Sequence, residues 1–199
     1  EKNFEILALS ELYKVSIKGS KRLWKKSDMY RNINFSPDGR FVLITTIKRP
    51  FSYLVPYYRF PSTYTIYGGT GKQVAVLADI PLIEDLPKGF MSVRKGARSF
   101  SWRLDKPASI YFVSALDDGD PQVESEFRDE LFQIDAPFNS EPISLLKTEN
   151  RYYRSSWCND TLAIVSDYWW NNRNEKTYLF NPSNPQDGSI ILLDRNYQD

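Results

Sequence analysis

Short apolar runs bounded by turn residues fill this chain, and their spacing is that of strands. Leu12-Tyr13-Lys14-Val15-Ser16-Ile17 alternates, Lys18-Gly19-Ser20 reverses the chain, and Lys21-Arg22-Leu23-Trp24 returns, which predicts a hairpin over 11–25. Phe35-Ser36-Pro37-Asp38-Gly39 then forms a tight turn ahead of the apolar run Phe41-Val42-Leu43-Ile44. Pro37 presets φ there, and Gly39 accepts a positive φ without steric cost. The layout recurs. Trp102-Arg103-Leu104-Asp105 precedes Ile110-Tyr111-Phe112-Val113, and Trp157-Cys158-Asn159-Asp160 precedes Leu162-Ala163-Ile164-Val165. A strand-only unit repeating every roughly 40–70 residues predicts propeller blades.

The pattern gives three blades. The first, 31–79, has strands Arg31–Ser36, Arg40–Ile47, Tyr64–Tyr67 and Gln73–Ala78. The second, 98–148, has Ser99–Trp102, Ser109–Ala115, Leu131–Ile134 and Ile143–Lys147. The third, 152–195, has Arg154–Trp157, Thr161–Asp167, Lys176–Asn181 and Ser189–Leu193. The expected fold is all-β: a partial β-propeller of about three four-stranded antiparallel blades plus the leading hairpin, in one domain over 1–199. The run Phe41–Ile44 is apolar on both faces, as in a blade packed between neighbours rather than one side of a lone sandwich. First-to-second connections are short. Second-to-third connections read as long (Lys48–Ser62, Leu116–Glu130, Tyr168–Glu175), as does the link Asp79–Ala97, so one face is elaborated and is where contact residues belong.

Composition removes several chemistries. Among 199 residues there is no histidine, so a His-based acid–base pair, a Ser-His-Asp triad and His metal sites are excluded within these residues. The one cysteine, Cys158, has no disulfide partner here, cannot build a zinc site, and reads as a buried, inert thiol. A net charge of +1 provides no field for nucleic acid, and no window is apolar enough to span a bilayer. The 13 Tyr, 12 Phe and 5 Trp suit strands. No cofactor is expected. Gly68–Lys72 lacks the spacing of a phosphate loop and reads as a hairpin turn.

Asp38, Asp105 and Asp160 occupy the repeated turn, where an Asp accepts backbone N–H groups, so with Phe35, Gly39, Trp102 and Trp157 they form a structural repeat rather than a carboxylate site. The acidic stretch 117–130 (Asp117, Asp118, Asp120, Glu124, Glu126, Asp129, Glu130) lacks EF-hand spacing and reads as a solvated loop rather than a calcium site. Tyr168, Trp169, Trp170 and Arg173 are the residue types that anchor interfaces, and Tyr57, Tyr58 and Arg59 offer a similar set on the corresponding loop of the first blade. Asn159-Asp160-Thr161 matches a glycosylation sequon by chance in a tight turn.

Ser36-Pro37-Asp38-Gly39-Arg40-Phe41 resembles the turn of propeller domains in the prolyl oligopeptidase family of serine peptidases and in TolB-like propellers. Arg49-Pro50-Phe51-Ser52-Tyr53-Leu54-Val55-Pro56, Leu86-Pro87-Lys88-Gly89-Phe90 and Asp167-Tyr168-Trp169-Trp170-Asn171-Asn172-Arg173 resemble the non-catalytic region of secreted bacterial members near the glutamyl endopeptidases and acylaminoacyl peptidases. The resemblance implies a periplasmic or extracellular peptidase in which the propeller caps an α/β-hydrolase domain of the same polypeptide and admits only peptides. The G-x-S-x-G nucleophile elbow of that domain is missing from these residues. This chain is therefore expected to be a non-catalytic segment; the alternative is a free-standing TolB-like protein-binding propeller. Open end blades further predict self-association.

Overall fold

The computed structural model describes residues 2–198. They form fourteen strands in four antiparallel sheets, of two, four, four and four strands, each in sequential order. The chain divides into two compact units, one running to Glu84 and the other from Asp85.

The first unit opens with a helix that the strand pattern does not signal, α1 (Lys2–Ala8). Phe4 and Ala8, one turn apart, pack on a core of Met29, Ile47 and Phe60, and Glu5 pairs with Arg49 at 2.5 Å. The hairpin follows as β1 (Ser10–Val15) and β2 (Lys21–Asp28), longer at its open end than the alternation suggests. The first four-stranded sheet is β3 (Tyr30–Phe35), β4 (Phe41–Ile47), β5 (Ser62–Gly68) and β6 (Gln73–Ile80). Strand β4 is β-branched or apolar at nearly every position, and Val42, Leu43, Ile44 and Thr45 are all buried, so both its faces are covered. The β3–β4 turn is built as expected: Gly39 has φ 69°, and Asp38 accepts hydrogen bonds from the Arg40 amide (3.0 Å) and the Ser36 hydroxyl (2.6 Å). The Ser36 hydroxyl, then the Arg40 amide and guanidinium, draw the Asp38 carboxyl down to a pKa of about 2.

The second unit holds two sheets. One is β7 (Ala97–Trp102), β8 (Ser109–Ala115), β9 (Asp129–Asp135) and β10 (Ile143–Thr148). The other is β11 (Arg151–Asn159), β12 (Leu162–Trp169), β13 (Asn174–Phe180) and β14 (Ser189–Asn196). They stack face to face. Val113, Leu131, Leu145 and Leu146 of the first meet Ala163, Val165, Tyr178 and Phe180 of the second, with Tyr111, Tyr152 and Trp157 at the margin. The alternation along β12 explains the seam: Ala163 and Val165 point inward, while Leu162 and Ile164 point away.

Several sequence expectations fail here for identifiable reasons. The connection expected over Tyr168–Glu175 is a tight turn, because β12 continues through Trp169 and pairs it with Asn174. Cys158 is exposed, because β11 also runs on and turns its thiol outward. The stretch 117–130 is not simply solvated: Asp117 and Asp129 are buried. The three repeat aspartates also diverge. Asp105 spends its carboxylate on the buried Arg103 guanidinium at 2.6 Å, and at the third turn Asn159, not Asp160, accepts the Thr161 amide at 2.9 Å.

Candidate functional site

The residues singled out as contacts are divided between the two units: Tyr57, Tyr58 and Arg59 in the first, Tyr168, Trp169, Trp170 and Arg173 in the second. In the first unit, residues 48–61 form a loop fixed from below and exposed above. Phe51 and Val55 pack on the Met29–Ile47–Phe60 core, with the Phe51 and Phe60 rings 5.5 Å apart. Pro56 leads into a short 3-10 turn over Tyr57–Arg59. Arg31 donates to the Tyr58 carbonyl at 3.2 Å, and the Arg59 carbonyl accepts the Ile83 amide at 3.0 Å. With its backbone held, the loop presents Tyr53, Leu54, Tyr57 and Tyr58 to solvent, the last two rings 6.1 Å apart. Arg59 is half-buried beside them.

In the second unit, the β12–β13 turn separates its two tryptophans. Trp169 lies in the strand, 8% exposed, with the Arg128 guanidinium 4.0 Å from its ring. Trp170, 37% exposed, stands in a layered stack. The Phe90 ring lies 5.3 Å away on one side, and the Arg173 guanidinium 3.8 Å from the indole; Arg173 also donates to the Trp170 carbonyl at 2.5 Å. Tyr168 belongs to neither group. It sits on the outward face of the last sheet between Tyr153 (5.7 Å) and Tyr197 (5.8 Å), beside a cleft of about 390 Å³ that Arg154 and Glu175 also line.

The stack depends on residues that sequence reading missed. Arg151, fully buried, donates to the Met91 carbonyl (2.9 Å) and the Arg128 carbonyl (3.1 Å) and pairs with Asp117 (2.7 Å) and Asp129 (3.2 Å). Arg128 binds Asp117 at 2.7 Å, and Arg98 binds Asp129. Burial pushes the Asp129 carboxyl up, and Arg98 and Arg151 pull it back. The Asp117 carboxylate also accepts the Gly119 amide at 3.0 Å. Gly119, at φ 81°, brings its backbone against Val93 and Arg94, and its carbonyl accepts the Val93 amide at 3.1 Å. A Cβ there would lie 2.0 Å from the Val93 carbonyl oxygen, so no other residue fits. This docked segment positions Phe90 over Trp170. One signal was present in the sequence: Asp129, Leu131 and Gln133 share one face of an alternating strand, and all three are buried.

The two repeat tryptophans pack against aromatic rings of the second unit. Trp102 is buried 5.9 Å from the Phe138 ring. Trp157 is half-buried, 5.1 Å from Tyr111, with the Arg103 guanidinium 4.3 Å from its ring. Among the described residues, no group of three or more Cys, Asp or Glu side chains could hold a metal ion, and no helix is long and apolar enough to cross a membrane.

Sequential four-stranded antiparallel sheets with short inner turns are those of a β-propeller region, and several of the proteins this chain is similar to are peptidases or a peptidase's propeller domain. The chain is 38% identical over 198 residues to a probable chloroplastic glutamyl endopeptidase of Oryza sativa subsp. japonica, and 35% identical over 198 residues to its counterpart in Arabidopsis thaliana. Each alignment covers 98% of this chain but only 21% and 20% of the relative, so the chain spans about a fifth of the length of the curated relatives it matches. No family model matches. Among solved structures, it superposes on Pyrococcus horikoshii acylaminoacyl peptidase with a TM-score of 0.54 (14% identity, 92% of this chain, 28% of that one). The β-propeller domain of the Trilobed protease from Pyrococcus furiosus gives 0.53 (14% identity, 98% and 51%), and the uncharacterised protein lmo1340 of Listeria monocytogenes EGD-e gives 0.56 (15%, 94% and 48%).

Proposed function

We propose that these residues are a non-catalytic propeller segment of a larger serine peptidase, which supports an α/β-hydrolase domain of the same polypeptide and restricts access to that domain to peptides. The observation that carries this reading is the match to glutamyl endopeptidases along 98% of the chain and only about a fifth of theirs. The chemistry agrees with it: with no histidine and no G-x-S-x-G elbow, these residues supply neither the histidine base nor the elbow serine of a serine-peptidase triad. The surfaces that meet the hydrolase domain or the peptide are the exposed aromatic loop around Tyr57 and Tyr58 and the Phe90–Trp170–Arg173 stack. Rigid backbone beneath exposed aromatic and arginine side chains is what an interface anchor requires.

The test compares the 199-residue chain with its full-length parent on chromogenic peptidyl and aminoacyl substrates. The chain alone is expected to give no saturable turnover, and the parent a rate blocked by a serine-directed phosphonate. In the parent, Tyr57→Ala/Tyr58→Ala and Trp170→Ala are expected to change the size of peptide accepted more than the turnover of a dipeptide. Saturable hydrolysis by the isolated chain, or a parent inert toward every peptide, overturns the reading. A gene that stops at Asp199 favours a free-standing binding propeller.

A further inference from the structure

The stacked sheets of the second unit show how a repeat position is normally covered. Trp157 pairs with Ala163 across its ladder, and its ring lies against Tyr111 and Arg103 of the preceding sheet. Phe35 holds the same position in the first unit, pairing with Val42. Its side chain is 66% exposed, and Ile33, two residues back on the same face, is exposed as well.

The hairpin accounts for the difference, because it covers only the other half of that sheet. Trp24 donates to the Gly69 carbonyl at 3.2 Å, Lys25 donates to the Gly71 carbonyl at 3.1 Å, and the Lys25 ammonium sits 3.4 Å from the centre of the Tyr67 ring. These contacts hold β2 against the β5–β6 turn. Between β1 and β3 a cleft of about 330 Å³ is left, walled by Leu12, Tyr13 and Trp24 on one side and by Ile33, Phe35 and Val42 on the other. Strand β1 pairs with β2 alone among the described residues. The Ser16 amide donates to the Ser20 carbonyl at 2.9 Å, so the alternation of an antiparallel ladder turns the Tyr13 and Val15 amides toward the open edge, above the cleft.

We infer that this edge takes up two further strands of the parent polypeptide, which complete a four-stranded sheet and lay an apolar face over Ile33 and Phe35. The inference rests on the reading that these residues are a segment of a longer peptidase. The length is available, since the matched relatives extend well beyond the aligned fifth. The geometry also fits: two added strands reach ~10 Å beyond β1 at the usual strand spacing, which is the side on which Ile33 and Phe35 lie bare. The internal precedent sets the chemistry of the occupant. The added strands present an aromatic ring, and the turn between them a cationic side chain, to Phe35, as Tyr111 of β8 and Arg103 of the β7–β8 turn do to Trp157.

The experiment is residue-resolved hydrogen exchange on the full-length parent and on the 199-residue chain, with Phe35→Asp made in both. In the parent, the Tyr13 and Val15 amides are expected to exchange on the order of 100-fold more slowly than in the chain. Phe35→Asp is expected to lower the parent's melting temperature by several degrees and to leave the chain's within about 2 °C. Equal exchange in the two proteins, or an equal effect of Phe35→Asp, overturns the inference. Protection of Tyr13 and Val15 that appears in the chain alone as concentration rises, with a doubling of mass in light scattering, assigns the edge to a second copy and overturns it too. A parent that protects the edge yet hydrolyses no peptide supports this inference and removes the functional reading.

Discussion

Replacing Arg151 with Met tests the buried ion cluster directly. The guanidinium reaches two carboxylates and two backbone carbonyls, and neither it nor Asp117 nor Asp129 meets solvent. Removing one member of a buried pair costs ~3–5 kcal/mol, because a charge is left without compensation. Here Asp117 keeps Arg128 and Asp129 keeps Arg98, which places the expected loss near the lower limit, about 3 kcal/mol. With an m value of about 2–3 kcal/mol per molar urea, the midpoint falls by about 1–1.5 M. Tryptophan fluorescence follows it well, since Trp102, Trp157, Trp169 and Trp170 all lie in the second unit and only Trp24 in the first. Adding Asp117→Asn should recover part of the loss, giving a coupling of ~1–3 kcal/mol. Acid supplies a second check. The Asp129 pKa is raised by burial, so charging it in the folded state carries a penalty that is absent below the ordinary aspartate pKa and sets in as pH rises through the raised value. Removing Arg151 enlarges that penalty, so the variant's deficit should shrink as pH falls through this window. A loss under about 1 kcal/mol, or strict additivity with Asp117→Asn, would refute the account of the cluster.

Trp169→Ala should cost ~3–5 kcal/mol and Trp170→Ala under about 1 kcal/mol in the isolated chain, measured by urea unfolding; the opposite order would show that the stack, not the strand, carries the packing. Trp102→Ala should likewise cost ~3–5 kcal/mol and the half-buried Trp157 roughly half as much, and equal losses would count against the different burial of the two rings. Gly119→Ala should release the segment that carries Phe90, seen as faster tryptic cleavage after Lys88, Arg94 and Lys95; an unchanged digestion pattern would mean that the close approach to Val93 does not hold it. Asp38→Ala should cost ~1 kcal/mol at neutral pH for its lost turn hydrogen bonds. Because the folded pKa is depressed to about 2, that stability is present above the ordinary aspartate pKa and disappears as pH falls toward 2, so wild type and variant should converge in acid.

Much of the architecture was legible because strand periodicity and turn chemistry are local. Ser109–Ala115 is a strand with the predicted limits, and the Pro37-Asp38-Gly39 turn forms as its residues require. What escaped was set by long-range pairing. Nothing near Trp169 stops a loop from starting at Tyr168; its partner Asn174 extends the strand. The same extension in β11 exposes Cys158. Helix α1, seven residues long, is too short for a 3.6-residue period to stand out, and it is fixed by Phe4 on a core that strands distant in sequence assemble. At the candidate site, sequence identified aromatic residues but could not sort them. Tyr168, Trp169 and Trp170 are consecutive, yet the pleat sends the first to the outward face and buries the second, and the turn leaves the third exposed against Phe90. The ion cluster was hidden because an acidic run usually is a solvated loop, and its arginines come from three separate strand or loop segments.

The cluster also limits how such a chain diversifies. Sheets joined by aliphatic faces alone can exchange neighbours, since any apolar surface of similar volume packs tolerably. The seam of the second unit is different: Arg151 belongs to one sheet, while Asp117, Asp129 and the Met91 carbonyl belong to the other and to the segment before it. A copy of β11–β14 moved elsewhere by duplication or recombination would carry a buried guanidinium to a place without carboxylates, and the sheet left behind would keep two acids with one fewer cation. The two sheets are therefore expected to be transferable only as a matched pair. Chimaeras that cut between Thr148 and Arg151 are expected to be insoluble, and those that move residues 89–196 together are expected to fold.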